Sequence, residues 1–173
     1  VMIIVTENGS PKDVLNVISN YGGDSDVAFL LEDSQCVLIN FLDDLGGEYH
    51  SSTEYAEFLR QSVYEETGIS VNVSVGGTVK TIADLGTSFS QAAAVKRMNK
   101  SLGAKGGVHS FKEYLLIKML EDLPKYKLNE YLDLLMDEKA RDIFGDEEMI
   151  STAEEFLESN LNVSETSRKI YLH

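Results

Sequence analysis

The run Ile69-Ser70-Val71-Asn72-Val73-Ser74-Val75 alternates aliphatic and small polar residues without a break. A period of two sorts its side chains onto two faces only if the backbone is extended, so this segment is a strand with one face on a core. A strand of that kind needs neighbours, and the chain provides them at regular spacing. Residues 1–5 form a short β-branched run, and Ser10-Pro11 then offers an N-cap followed by proline at the first helical position. The helix so opened carries Val14, Leu15 and Ile18 and stops at Gly22-Gly23, read as a helix C-cap and turn. Residues 26–31 and 36–42 are apolar runs joined by Glu32-Asp33-Ser34-Gln35, the length of an ordinary hairpin loop.

Ser51-x-x-Glu54 is a capping-box signature, and Tyr55, Phe58, Leu59, Ser62 and Val63 give the helix behind it one largely apolar face that ends at Gly68. Beyond the alternating strand, Gly76-Gly77 turns the chain. Thr81-x-x-Asp84 then starts a helix carrying Leu85, Phe89, Ala92, Ala93 and Val95 that ends near Gly103. Residues 106–111 are short enough to be a final edge strand. After Tyr114 the pattern is helical: residues 115–123, a break at Pro124, then Leu128, Tyr131, Leu132 and Leu135 at i, i+3, i+4 and i+7. The order β-α-β-β-α-β-α-β predicts an α+β fold, a ferredoxin-like antiparallel sheet with one added strand, followed by an all-α C-terminal part.

The last thirty residues carry a second pattern. Met149, Ile150, Ala153, Phe156 and Leu157 share one face of a helix over residues 147–161, and Ser164 is placed to N-cap a second helix with Val163 stapling it from outside. Two such helices read as the front half of a helix-turn-helix, or as the close of a small helical subdomain with no nucleic-acid role. A DNA reader needs one more helix, the one that lies in the major groove, and the sequence ends at His173 where it would begin. That ending, with a start on Val1, points to a piece of a longer polypeptide.

Charge limits what the rest can do. At a net −14 the body of the chain repels nucleic acid, and from Asp146 onward seven acids oppose only Arg168 and Lys169. Phosphate contacts would then come mainly from the missing recognition helix, and these residues alone would bind DNA weakly or not at all. The single cysteine, Cys36, lies in an apolar run, which excludes a disulfide framework, makes Cys36 a core residue and fits a reducing cytoplasm. No apolar run approaches the ~20 residues that span a bilayer.

The segment Asn162-Val163-Ser164-Glu165-Thr166-Ser167-Arg168-Lys169-Ile170-Tyr171-Leu172-His173, preceded by Met149-Ile150-Ser151-Thr152-Ala153-Glu154-Glu155-Phe156-Leu157, resembles the C-terminal unit of the purine-catabolism and carbohydrate-diacid regulators, the PucR/CdaR group of bacterial transcription factors. Ala153 and Ser167 depart from that group's usual Leu and Ala, and its Arg-Asn-Thr recognition segment is absent. The strand of residues 70–76 and the Ser88-Phe89-Ser90-Gln91-Ala92 helix are similar in spacing to the degenerate nucleotide-cyclase palm domain that precedes the DNA-binding unit in those regulators, so the resemblance covers nearly the whole chain. It implies a degenerate cyclase-like domain over residues 1–113, a helical connector over 114–145 and a truncated helix-turn-helix over 146–173. It also implies DNA contacts from Ser164, Thr166, Arg168, Lys169 and His173, operator DNA as a partner only together with the missing recognition helix, a small-molecule effector as a further partner, and a cytoplasmic homodimer.

Catalytic chemistry is thin. Gly22-Gly23-Asp24-Ser25-Asp26 looks like a damaged cyclase signature, but it comes one element too early, and the loop in the corresponding place has no glycine to admit a phosphate. No enzyme activity, cofactor or metal is expected. His50, His109 and His173 are far apart with no cysteine or histidine partner, and Gly103-Ala104-Lys105-Gly106-Gly107 lacks the Gly-Lys-Ser/Thr order of a phosphate loop and reads as a turn. Asp43-Asp44 and Asp146-Glu147-Glu148 read as a solvated loop and a helix N-terminus. Three functions stay open: a transcriptional regulator, a non-catalytic small-molecule or nucleotide sensor, and a purely structural interaction domain.

Overall fold

The computed structural model describes residues 1–32, 34–42, 49–104 and 106–170, so Asp33, Asp43, Asp44, Lys105 and His173 lie outside the described residues. The chain forms two compact units, Val1–Met119 and a second that starts at Leu120.

The first unit is a five-stranded sheet in the order β2-β3-β1-β4-β5. Strand β1 (Met2–Thr6) lies at its centre, antiparallel to β3 (Gln35–Ile39) on one side and to β4 (Val71–Val75) on the other. β2 (Val27–Leu31) pairs antiparallel with β3 through the expected hairpin. These four strands have ferredoxin-like order. The fifth, β5 (Gly107–Ser110), runs parallel to β4 rather than antiparallel, so the sheet is mixed. The cause is the helix between them: a crossover the length of α3 (Leu85–Ser101) carries the chain back along the sheet to the end at which β4 began.

Helices α1 (Pro11–Tyr21) and α2 (Ser52–Thr67) are set by local chemistry that the sequence displays. The Ser10 hydroxyl accepts from the Lys12 N–H at 3.2 Å ahead of proline at the first turn. Ser51 Oγ accepts from Glu54 N–H at 3.1 Å, while the Glu54 carboxylate accepts from the His50 N–H at 2.7 Å, one residue earlier than an ordinary capping box. Gly68 ends α2 at φ 69°, the left-handed conformation that glycine adopts without steric cost.

The pleat divides the sheet into two unlike faces. Met2, Ile4, Cys36, Leu38, Val71, Val73 and Val75 point to the side of α1 and α2, where Val14, Val17, Ile18, Tyr55, Leu59 and Val63 close a wholly apolar layer. Cys36 belongs to it, fully buried, its thiol donating to the Pro11 carbonyl at 3.2 Å. Burial pushes that thiol's pKa up to about 11.

Helix α3 takes the opposite face and differs from expectation. Thr81 does not cap it; its hydroxyl donates to the Asp84 carboxylate at 2.7 Å, a 3-10 turn (Ile82–Asp84) intervenes, and α3 starts at Leu85. The side chains it buries include Ser88, Ala92, Val95 and Asn99, a stripe at i, i+4, i+7 and i+11, whereas Leu85, Phe89 and Ala93 are only half-buried. Ala92 and Val95 are inside as their spacing predicts, and two polar residues, Ser88 and Asn99, take the other innermost positions. Beneath α3 the sheet offers Gln35 and Ser74, both buried, beside Ile3 and Val37.

The second unit is helical: α5 (Lys125–Leu135), α6 (Glu138–Phe144), α7 (Glu147–Glu158) and α8 (Val163–Ile170), with α4 (Leu115–Glu121) straddling the division between the units. Aspartates start two of them, Asp137 accepting from Ala140 N–H at 2.8 Å and Asp146 from Glu148 N–H at 2.9 Å, where the helix dipole favours negative charge. Among the described residues from Leu120 onward, no apolar side chain is fully buried. Of the residues at helical spacing on α5, Tyr131, Leu132 and Leu135 are exposed and Leu128 is half-buried.

Candidate functional site

The α7–α8 pair holds the residues with a DNA-binding expectation. α7 ends at Glu158, three residues before the expected stop, because Asn160 and Leu161 adopt left-handed backbone at φ 51° and 62°. That turn is tied by Leu161 N–H to Phe156 O at 2.9 Å and Asn162 N–H to Ser159 O at 3.0 Å. Ser164 does not cap α8. The cap is Asn162, whose side-chain oxygen accepts from Ser164 N–H at 3.1 Å and Glu165 N–H at 3.2 Å, so Val163 falls inside the first turn rather than stapling it from outside. Both residue types cap well, and Asn162 sits one residue before the helix while Ser164 is already inside it.

An ion pair links the two helices, and the buried polar side chains beside it bond back within their own helices. Thr166 is buried, its hydroxyl donating to the Asn162 carbonyl at 2.9 Å, and Ser159 is buried with its hydroxyl on Glu155 Oε1 at 3.1 Å. Lys169 Nζ reaches the same Glu155 oxygen at 2.7 Å, and this bond first, then nearby Glu165 and Glu158, holds the Lys169 ammonium above its usual pKa. Met149, Ile150 and Leu157 of the expected apolar face are exposed instead, and Phe156 is half-buried. Of the expected DNA-contacting residues, Ser164 and Arg168 lie on the surface, Arg168 Nε donating to Ser164 O at 3.3 Å. Thr166 faces the interior, Lys169 is ion-paired, and His173 lies outside the described residues.

Gly22-Gly23-Asp24-Ser25-Asp26 forms a turn built around Asp26. Gly22 closes α1 with its N–H on the Ile18 carbonyl, in extended rather than left-handed backbone. The Asp26 carboxylate then accepts from Phe41 N–H at 2.8 Å, from Asn40 Nδ2 at 3.0 Å, from Gly23 N–H at 3.2 Å and from the Tyr55 hydroxyl at 3.4 Å. Donors from three segments converge on one carboxylate, Tyr55 sharing its proton with the Tyr21 carbonyl at 3.1 Å, so the role of Asp26 here is to clamp α1, β3 and α2 together. Among the described residues no group of three or more His, Cys, Asp or Glu could hold a metal ion. His109 ends in local contacts, Nε2 3.2 Å from the Gly106 carbonyl and Nδ1 3.5 Å from the Tyr114 hydroxyl. Gly103, Gly106 and Gly107 all have left-handed φ, which makes their segment a turn, as the sequence implies.

The sequence gives no warning of a concavity of about 540 Å³ between α3 and the sheet. Its walls include Gln35, Asn72, Ser74 and Asn99, with Lys96, Arg97 and Lys100 along α3 and Glu7 as the one carboxylate among the described lining residues. Lys96 Nζ donates to Gln35 Oε1 at 2.7 Å, so its partner is a neutral amide. Asn72 and Asn99 form an oriented pair: Asn99 Nδ2 donates to Asn72 Oδ1 at 3.1 Å, and Asn72 Nδ2 to the Ala104 carbonyl at 3.5 Å. Spacing could not reveal this site, since its residues come from β1, β3, β4 and α3. The only local signal was the Ser74 and Asn72 face of the alternating strand, which reads as solvated until α3 covers it.

This arrangement is that of an α+β sheet protein with a second, helical unit. No family model matches the chain, and no curated protein or solved structure matches it. Among the described residues, no helix is long and apolar enough to cross a membrane.

Proposed function

We propose that this chain serves as a DNA-binding transcriptional regulator, non-enzymatic, in which the sheet unit transmits a signal or mediates dimerisation and α7 and α8 position a recognition helix on an operator. The observation that carries the reading is the α7–α8 unit itself. Two short helices are joined by a tight left-handed turn and linked by the Lys169–Glu155 ion pair, with Asn162 and Thr166 fixing the start of the second, as a helix-turn-helix requires of its first two members. A recognition helix is not among the described residues, and the acidic surroundings agree with phosphate contacts made elsewhere. The test is fluorescence anisotropy against the chain's own upstream promoter at two salt concentrations, comparing residues 1–173 with the longest form its reading frame encodes. Salt-sensitive binding by the long form alone supports the reading; no binding by either at low salt refutes it.

A second reading, a non-catalytic small-molecule sensor, is favoured by the cavity under α3, whose volume is within the ~300–1,000 Å³ of ordinary ligand sites.

A further inference from the structure

The sheet face under α3 contains an acceptor that the fold leaves unused. Asn99 lines the cavity and is only 3 % exposed, yet its Oδ1 has no hydrogen-bond partner among the described residues. Turning the amide over does not repair this. The Ala104 carbonyl can only accept, so Asn72 must present Nδ2 to it and Oδ1 to Asn99, which obliges Asn99 to give its own Nδ2 and keep Oδ1 unpaired. Buried polar groups in folded proteins are satisfied as a rule, and an orphan in a cavity wall marks a place where a donor belongs.

The same wall carries cationic charge in an otherwise acidic chain. Lys96, Arg97 and Lys100 follow one another around the last turns of α3, with Glu7 opposite. Cations at a helix C-terminus complement its dipole, which accounts for Lys100 without any ligand. The dipole does not account for Lys96, which is half-buried and hydrogen-bonded to an amide, nor for the unpaired Asn99 carbonyl one helical step away.

We infer that the cavity between α3 and the sheet binds a small organic anion, a carboxylate or phosphate, that also carries an O–H or N–H donor. The anionic end lies toward Lys96 and Lys100, and the donor pairs with Asn99 Oδ1. Gln35, oriented by Lys96, and Ser74 in the cavity floor supply further polar contacts. This inference stands on the geometry of the first unit alone, so it survives or fails independently of any DNA binding.

The experiment is a titration of the ¹⁵N-labelled full chain with four probes: malate, succinate, ribose 5-phosphate and inorganic phosphate. Malate and succinate differ by one hydroxyl, so that pair isolates the donor; ribose 5-phosphate sets sugar hydroxyls beside a phosphate, where the free ion has only its own O–H, and the two pairs separate carboxylate from phosphate. The expected result is saturable shifts at the Asn99 side-chain amide and the backbone amides of residues 72–74 and 96–100, with at least one donor-bearing probe bound about tenfold tighter than its partner. Lys96→Met and Lys100→Ala should each weaken that probe several-fold. Lys100 is exposed, so its replacement leaves the fold intact even if Lys96→Met does not. The inference is overturned if none of the four probes gives saturable shifts at these residues, if the hydroxyl makes no difference in either pair, or if a folded Lys100→Ala chain binds as tightly as the parent.

Discussion

Asp26→Ala tests whether the glycine-rich turn after α1 is a structural clamp or the remnant of an ion site. The substitution removes the acceptor for Phe41 N–H and Asn40 Nδ2 and for the longer contacts from Gly23 N–H and Tyr55 O–H. A hydrogen bond to a charged acceptor contributes about 1.5–3 kcal/mol when fully enclosed. Asp26 is half-buried and water can reach part of the vacated space, so the two shorter bonds count for about 1 kcal/mol each and the longer pair for somewhat less. The sum is about 2–3 kcal/mol, a large share of a typical domain's stability. Urea unfolding followed by near-ultraviolet circular dichroism measures it, because Tyr21, Tyr49 and Tyr55 surround the clamp and the chain has no tryptophan to obscure them. Asp26→Asn keeps one acceptor oxygen and should cost about half as much. Millimolar Mg²⁺ should shift neither parent nor variant, since a ligand stabilises only what binds it. A loss below about 0.5 kcal/mol for Asp26→Ala, or a Mg²⁺ stabilisation that the substitution abolishes, refutes the clamp.

Three further outcomes are expected. Gly76→Ala should destabilise the first unit by at least about 2 kcal/mol in the same urea experiment, because a Cβ there runs into the Ser88 backbone carbonyl, which α3 cannot move. Cys36 should react with a thiol reagent at pH 8 only after urea is added. Since its folded pKa of about 11 exceeds the ordinary value of 9.0, the unfolded chain loses that proton first, and the thiol's share of stability, complete below pH 9, declines as pH rises through 11. Asn162→Ala should speed amide hydrogen exchange across α8, at a cost of about 1 kcal/mol for a lost cap, while Ser164→Ala leaves it unchanged; the reverse order would restore Ser164 as the cap.

What could be read from the amino acids alone was whatever neighbours in sequence decide. The caps at Ser10 and Ser51, the left-handed stop at Gly68 and the alternation that makes β4 all depend on contacts within a few residues, and the structure has them where the sequence puts them. The errors come from longer range. Apolar spacing marks Ala92 and Val95 of α3's buried stripe but not Ser88 and Asn99, since no periodicity of apolar residues announces an inward amide. The fifth strand's direction depends on where α3 returns the chain. In the second unit the periodic apolar faces of α5 and α7 are largely exposed, and α7 and α8 are linked by the Lys169–Glu155 ion pair while Thr166 and Ser159 bond within their own helices. The cavity under α3 was out of reach altogether: Glu7, Gln35, Asn72 and Asn99 are brought together only by the strand order.

The unlike faces of the central sheet divide the molecule's mutational freedom. The aliphatic layer under α1 and α2 can exchange one branched side chain for another at little cost, provided total volume is kept, so sequence there can drift while the sheet endures. The amide-lined layer under α3 has no such latitude, because each polar group is oriented by the next and changing Asn72 also changes what Asn99 presents. A lineage built on this scaffold could therefore alter what the α3 side recognises by replacing a few side chains of one helix, leaving the opposite layer to keep the chain folded throughout.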